Sequence, residues 1–397
     1  LKNRFIKTFG GDFSAEPNGY CSESYSQYLE QFARGGVALI CTAPAAIQPS
    51  FRINHYQLSI SSQEAAYSYK SLIKRIHTYG ARVFLYPDYA NEVIVKFICS
   101  VIEPESSRRR DAFKDMQRWI TSLLKGHEIT ETISLYKKAI VRGKETGFDG
   151  IFLNVSFGSF LQTTSSSVFN QRQDEWGGDL KKRLKILKEI LAVCKALDFP
   201  VIVRWNLKDY GPDGLTMEES IEACQLLQAY GADALELVAF ISIESTIALN
   251  KDIERRESLP LTETTDLIDY YRLMHPLVQN SFFLKRQKDI KLPMEYVWGH
   301  AYFNIQPIKK ILKIPVFLVG GVRSLKTAEK ILDNGLADFI SLSRVLIHNP
   351  AQCRDFEEGA SLYSSCISCN CCTNEMLFSI KDPSRPYLHQ CVTRGDK

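Results

Sequence analysis

Eight short apolar runs, rich in β-branched and aromatic residues, recur along the chain at 4–7, 37–42, 82–86, 150–154, 200–204, 234–238, 315–319 and 339–342. Most precede an amphipathic stretch with helical periodicity, at 25–34, 65–77, 129–146, 180–197, 216–230, 305–312 and 325–334. Gly35, Gly80, Gly147, Gly231 and Gly335 each stand between a helical stretch and the next run, where a helix commonly ends in a left-handed residue. Runs that are apolar throughout, rather than alternating, need cover on both faces, which is the condition of a parallel sheet. Eight such units predict an α/β fold of the closed (β/α)8, or TIM, barrel type rather than an open doubly wound sheet. No Gly-x-Gly-x-x-Gly follows any run, which argues further against a dinucleotide-binding open sheet.

With 397 residues, 45% of them hydrophobic, the chain can bury a large core. We expect a barrel over 1–360 and a Cys-rich C-terminal extension over 361–397. Two connections, 92–128 after the third run and 240–302 after the sixth, are long for such units. Both leave the C-terminal face of a barrel and read as candidate lids. The 49 basic and 45 acidic residues are too evenly matched to point to nucleic acid or a membrane surface as partner. Arg108-Arg109-Arg110 is a compact basic run and reads as a solvated loop. No stretch approaches the roughly 20 apolar residues that span a bilayer, and Leu1-Lys2-Asn3-Arg4 opens no signal-peptide core. Of eleven cysteines, seven are scattered singly, as suits a reducing compartment. The expectation is a cytoplasmic protein acting on a small molecule, with homo-oligomer formation left open.

The run 315–319 stops at Gly320-Gly321, and the run 339–342 stops at Ser343-Arg344. Glycines let backbone N–H groups approach phosphate oxygens, and a guanidinium adds a planar, permanent charge, so the last two units read as a phosphate site. The plainer alternative is that Gly-Gly only turns the chain.

Several segments then carry a resemblance: Leu1-Lys2-Asn3-Arg4-Phe5, Arg34-Gly35-Gly36-Val37, Glu145-Thr146-Gly147-Phe148-Asp149-Gly150, Asn170-Gln171-Arg172, Trp176-Gly177-Gly178, 314–323, 337–344 and Cys366-Ile367-Ser368-Cys369-Asn370. In these, and in their order, the chain resembles the Old Yellow Enzyme family of FMN-dependent NAD(P)H:flavin oxidoreductases and ene-reductases. The resemblance implies that Gly320, Gly321 and Arg344 hold the FMN phosphate, with Ser343 in place of the usual glycine. It implies that Arg204 lies beside the flavin pyrimidine, where its charge would stabilise the anionic reduced ring. It also aligns Lys7, Thr8 and Ala43 with contacts to the isoalloxazine and ribityl chain.

The departures are as informative. Where the family carries a His-x-x-Asn or His-x-x-His pair and then a tyrosine, this chain has Asn154, Phe157 and Ser159, and Tyr86 replaces the glutamine at the pyrimidine edge. Asn154 can donate to an oxyanion, Phe157 cannot, and a serine is a poorer acid than a phenol. Tyr86, Asp88, Tyr89 and Ser159 are therefore the candidate proton donors. Hydride from NAD(P)H would pass through the flavin to an activated alkene, a quinone or another conjugated electrophile. The alternatives are a flavin-binding barrel without turnover, in a regulatory or interaction role, and a flavin-free barrel acting on phosphorylated substrates.

Cys366, Cys369, Cys372 and Cys391 are spaced almost as metal ligands, for an iron–sulfur cluster or zinc. Cluster-bearing members of the resembling group place their third cysteine at the position of Thr373. The favoured reading is a thiol-rich structural tail, with metal as the alternative.

Overall fold

The computed structural model describes residues 1–100, 106–207, 214–238, 305–320, 322–366 and 371–391. Eight parallel strands close in the order β1 to β8: β1 Phe5–Lys7, β2 Leu39–Ala46, β3 Arg82–Asp88, β4 Gly150–Val155, β5 Val201–Asn206, β6 Ala234–Val238, β7 Val316–Val319 and β8 Phe339–Leu342. All eight expected runs are strands. Closure is made by β1 on β8, with Ile6 opposite Ser341. β2 continues four residues past its expected end because a register shift between Cys41 and Pro44 lets it stay paired to β3 as far as Ala46 and Asp88.

Alternation along the strands separates two cores. Ile6, Leu39, Cys41, Phe84, Phe152, Ile202, Ala234 and Phe317 fill the barrel interior, while their neighbours in sequence pack outward under the helices. The outer layer is built on helices with side-chain N-caps: Ser22 caps Glu23–Arg34, Thr216 caps Met217–Tyr230 and Ser324 caps Leu325–Asp333. Gly80, Gly147, Gly231 and Gly335 are left-handed, as expected of helix-ending glycines. Gly35 is not. There the positive φ of +100° falls on Gly36, and Gly35 is required because a Cβ would collide with the Pro350 carbonyl.

The connection after β3 corrects two expectations. It is helical, as Glu92–Ser100 and Ser106–Arg118 followed by a π turn at Trp119–Leu123. Phe97, Met116 and Ile120 are fully buried in it, and Phe97 and Phe113 pack on Phe169 at 5.1 and 4.9 Å, so this layer is sealed to the loop after β4 rather than free as a lid. Arg108-Arg109-Arg110 lies within its second helix, not in a loop. The expected lid at 240–302 lies outside the described residues.

The Cys-rich tail returns to the barrel. Phe13 pairs with Tyr387 in an antiparallel bridge, Asn54 Nδ2 donates to the carbonyls of Ser379 (2.8 Å) and Arg385 (2.9 Å), and the His389 N–H donates to Asp12 Oδ1 at 3.0 Å. Tail and barrel thus share a buried seam across the loops after β1 and β2. Among the described residues, no helix is long and apolar enough to cross a membrane.

Candidate active site at the mouth of the barrel

The same alternation that fills the lower barrel with apolar groups turns polar at the C-terminal ends of the strands. Tyr86 on β3, Asn154 on β4, Arg204 on β5, Glu236 on β6 and Ser341 on β8 are all buried there, beside Thr8 just past β1. Arg204 Nη1 lies 3.2 Å from Glu236 Oε2 and 3.3 Å from Thr8 Oγ1, and Thr8 Oγ1 in turn donates to Glu236 at 3.1 Å. The guanidinium is flanked by the rings of Phe9 (4.7 Å) and Phe157 (5.2 Å). Phe157 takes a left-handed φ of +54°, a conformation costly for a side chain of its size, which leaves its ring partly exposed over Arg204.

A second network runs along β3 and β4. Asn154 Nδ2 donates to the Tyr86 hydroxyl at 3.0 Å, and that hydroxyl lies 3.4 Å from Asp88 Oδ1. Burial pushes the Asp88 carboxyl up to about 7, against the hydrogen bonds from Tyr86 and the Tyr89 N–H, which favour its charge. Burial likewise drives the Tyr86 hydroxyl well above the ordinary phenol range, with the Asp88 charge adding to it. Asn154 is otherwise spent: its amide also donates to the Ser156 carbonyl (3.2 Å), and its Oδ1 accepts from Ser156 Oγ (2.6 Å). Both hydrogens of the Asn154 amide, expected as a donor to an oxyanion, are thus engaged within the protein, one of them on Tyr86.

At the far side, Val319 pairs with Ser341, so Gly320 sits beside the end of β8, with Ser343 and Arg344 just beyond. Gly320 has φ +119°, open only to glycine without strain, and Ser343 begins the short helix Arg344–His348. Gly321 lies outside the described residues.

Other expected residues are placed elsewhere. Lys7 is fully buried, but it points outward: its Nζ lies 5.1 Å over the Phe32 ring of the first helix and donates to the Thr8 carbonyl at 2.8 Å. Register explains this, since Lys7 pairs with the outward Ile40 while Ile6 pairs with the inward Leu39. The Ala43 N–H is taken by the Tyr25 hydroxyl at 2.7 Å. Ser159 Oγ donates to the Asn154 carbonyl (2.7 Å) and caps the helix Phe160–Ser165. Tyr89 packs on Phe160 at 4.9 Å, with its hydroxyl engaged by Thr132 and Asn91. Cys391 lies 3.3 Å from His348 Nδ1, and Cys372 is buried. Cys369 is outside the described residues, and among those described no three His, Cys, Asp or Glu side chains are grouped to hold a metal.

Sequence reasoning missed Glu236 and Phe9. A signal for Glu236 was present: a lone carboxylate between Leu235 and Leu237, in a strand that is otherwise apolar, has to meet a cation.

The mouth fits a flavin phosphate ester in its donor set. Among the described residues, Arg204 Nε and Ser341 Oγ are buried there without a hydrogen-bond partner, and the left-handed backbone of Gly320 ends β7 beside the strand that runs on to Ser343 and Arg344. Residues 1–259 match the sequence model of the NADH:flavin oxidoreductase / NADH oxidase family. The chain belongs to that family. Its members use FMN and NAD(P)H, and the eight-stranded barrel described above is the corresponding architecture. The chain is similar to an NADH oxidase of Thermoanaerobacter brockii, 26% identical over 376 residues, covering 93% of this chain and 51% of that protein. It is also similar to a 4,4'-dithiodibutanoate disulfide reductase of Rhodococcus erythropolis, 25% identical over 383 residues, covering 94% and 89%. The chain thus spans about half the length of the first relative and most of the second. Among solved structures, an Old Yellow Enzyme homologue from Zymomonas mobilis superposes with a TM-score of 0.61 at 17% identity, covering 93% of this chain and 92% of that one, which is a likeness of fold.

Proposed function

We propose that this member of the NADH:flavin oxidoreductase family is an FMN-dependent NAD(P)H oxidoreductase that reduces an activated alkene, a quinone or another conjugated electrophile. The observation that carries the reading is Arg204, buried at the strand ends with a donor, Nε, that no group among the described residues accepts. In this reading Gly320, Gly321, Ser343 and Arg344 hold the FMN phosphate, and Arg204 and Thr8 face the ring edge that becomes anionic. When bound, FMN takes hydride from the nicotinamide and passes it to the acceptor.

The chain's own groups do the rest. Glu236 and Thr8 fix the Arg204 guanidinium in one orientation, so its charge is organised before reaction. Phe9 and Phe157 keep water from its faces. The acceptor would lie against Phe157, whose exposed ring suits a flat conjugated molecule, and the proton is assigned to the Tyr86 hydroxyl, whose ring packs at 4.9 Å on Phe9, the other ring over Arg204.

A second reading, flavin binding without turnover, draws support from Asn154, both of whose amide hydrogens are used inside the protein. One experiment separates the two. The protein as purified is mixed anaerobically with NADH or NADPH while the flavin band near roughly 450 nm is followed. Bleaching, then recovery on adding enones or quinones, is the expected result. A yellow protein that never bleaches removes the oxidoreductase, and a colourless one that takes up no FMN removes both readings.

A further inference from the structure

Resting on the proposed function, we infer that Asp88 is the proton reservoir of the mouth and that its protonation state aims the Tyr86 hydroxyl, held by Asn154, at the acceptor or away from it. The argument is one of hydrogen-bond inventory. A phenol has one hydrogen and two lone pairs. Asn154 Nδ2 fills one lone pair of Tyr86 at 3.0 Å, and Asp88 Oδ1 stands at 3.4 Å. An ionised Asp88 only accepts, so it draws the Tyr86 hydrogen to itself and leaves none for a substrate. A protonated Asp88 donates instead, filling the second lone pair, and the Tyr86 hydrogen then has no direction left except out of the network.

The neighbours are arranged for this. Ser159 and Ser156, the other hydroxyls near Asn154, donate to its carbonyl and its Oδ1 and are not available. The groups facing Asp88 are Tyr86 on its own strand, the Tyr89 N–H beyond it, and Tyr136 on the helix Gly126–Thr146, all neutral. Arg204 acts on Tyr86 from β5, but its charge is paired with Glu236 on β6. Among the described residues no cation bonds Asp88, and burial accordingly holds its carboxyl near 7, where both states are populated at cellular pH.

The step balances as follows. The Tyr86 O–H bond breaks as the acceptor gains its proton, the Asp88 O–H breaks to restore the tyrosine, and Asp88 regains a proton from water. The accompanying hydride comes from NAD(P)H, which is oxidised by two electrons while the acceptor is reduced by two. Tyr86 is the acid that touches the acceptor, and Asp88 and Asn154 are positioning residues.

The test uses the full chain and three variants, Asp88→Asn, Tyr86→Phe and Asn154→Ala, with the nicotinamide and acceptor half-reactions timed separately by rapid mixing. The wild-type acceptor half-reaction should fall about tenfold per pH unit above about 7. Asp88→Asn, whose amide donates to Tyr86 at any pH, should abolish that dependence. Tyr86→Phe should lower the ratio of acceptor to nicotinamide rates by about 10²-fold or more, and Asn154→Ala by less. Independently of turnover, carbon-13 NMR of labelled aspartate should show one carboxyl titrating near about 7 in the wild type and in Tyr86→Phe, and absent from Asp88→Asn. Flavin turnover with a wild-type pH profile in Asp88→Asn, or no carboxyl titrating between about 6 and 8, overturns the inference alone. A protein that never takes up flavin overturns the functional reading and this inference with it, whatever the NMR titration shows.

Discussion

Replacing Glu236 by leucine isolates the electrostatic centre of the mouth. Arg204 is 5% exposed and Glu236 1%, they approach to 3.2 Å, and Thr8 bridges them. A leucine fills much the same volume but leaves a buried guanidinium whose remaining partners among the described residues are two aromatic faces and a hydroxyl. Removing one partner of a buried pair costs about 3–5 kcal/mol, whereas removing both is often near neutral, because the desolvation of two charges is relieved along with their attraction. With 397 residues and about 2.1 cal/mol/K of unfolding entropy per residue, that loss corresponds to roughly 4–6 °C in melting temperature. Scanning calorimetry of the wild type, Glu236→Leu, Arg204→Leu and the double variant gives the full cycle. We expect the double variant to melt above Glu236→Leu. A double variant that loses the sum of the two singles would show the pair to be uncoupled and the reading of the mouth as one electrostatic unit to be mistaken.

Three further predictions follow from particular groups. Arg344→Ala should release FMN about 10- to 100-fold more readily on dilution, since a charge-assisted phosphate bond is worth roughly 1.5–3 kcal/mol, and full flavin occupancy would refute the phosphate assignment. Asp88, raised from 3.8 to about 7 by folding, binds its proton more tightly in the native chain. Its contribution to stability is therefore complete below pH 3.8 and lost as pH rises through about 7, a fall of ~4 kcal/mol that urea titrations should find flattened in Asp88→Asn. Gly35→Ala forces a Cβ onto the Pro350 carbonyl and should destabilise by about 1–3 kcal/mol, the cost of overpacking, while Gly126→Ala, which meets only the Trp176 indole nitrogen at 3.7 Å, should lose less in the same melting assay.

The chain's local pattern determined the barrel. Uninterrupted apolar runs need two covered faces, and the spacing between them leaves room for one helix each, so the eight strands and their order are legible from 4–7 to 339–342 without any knowledge of long-range contacts. The same holds for the position of Gly320 and Arg344 at strand ends, because Gly320-Gly321 and Ser343-Arg344 each follow directly on an apolar run, whereas Arg204 is singled out by the family resemblance. What only tertiary structure decided was which of these residues meet. The pleat puts Ile6 and Lys7 on opposite faces of β1, and only the register on closing the barrel decides that Ile6 is the one turned inward. Register also brings Glu236 against Arg204 across 32 positions, and Tyr86 against Asn154 across 68. The helical cover after β3 and the docking of His389 on Asp12 were equally out of reach, since they depend on surfaces that exist only once the cylinder has closed. Periodicity is a property of neighbours in sequence, whereas the chemistry of the mouth is a property of residues that share a layer, and layers are set by register.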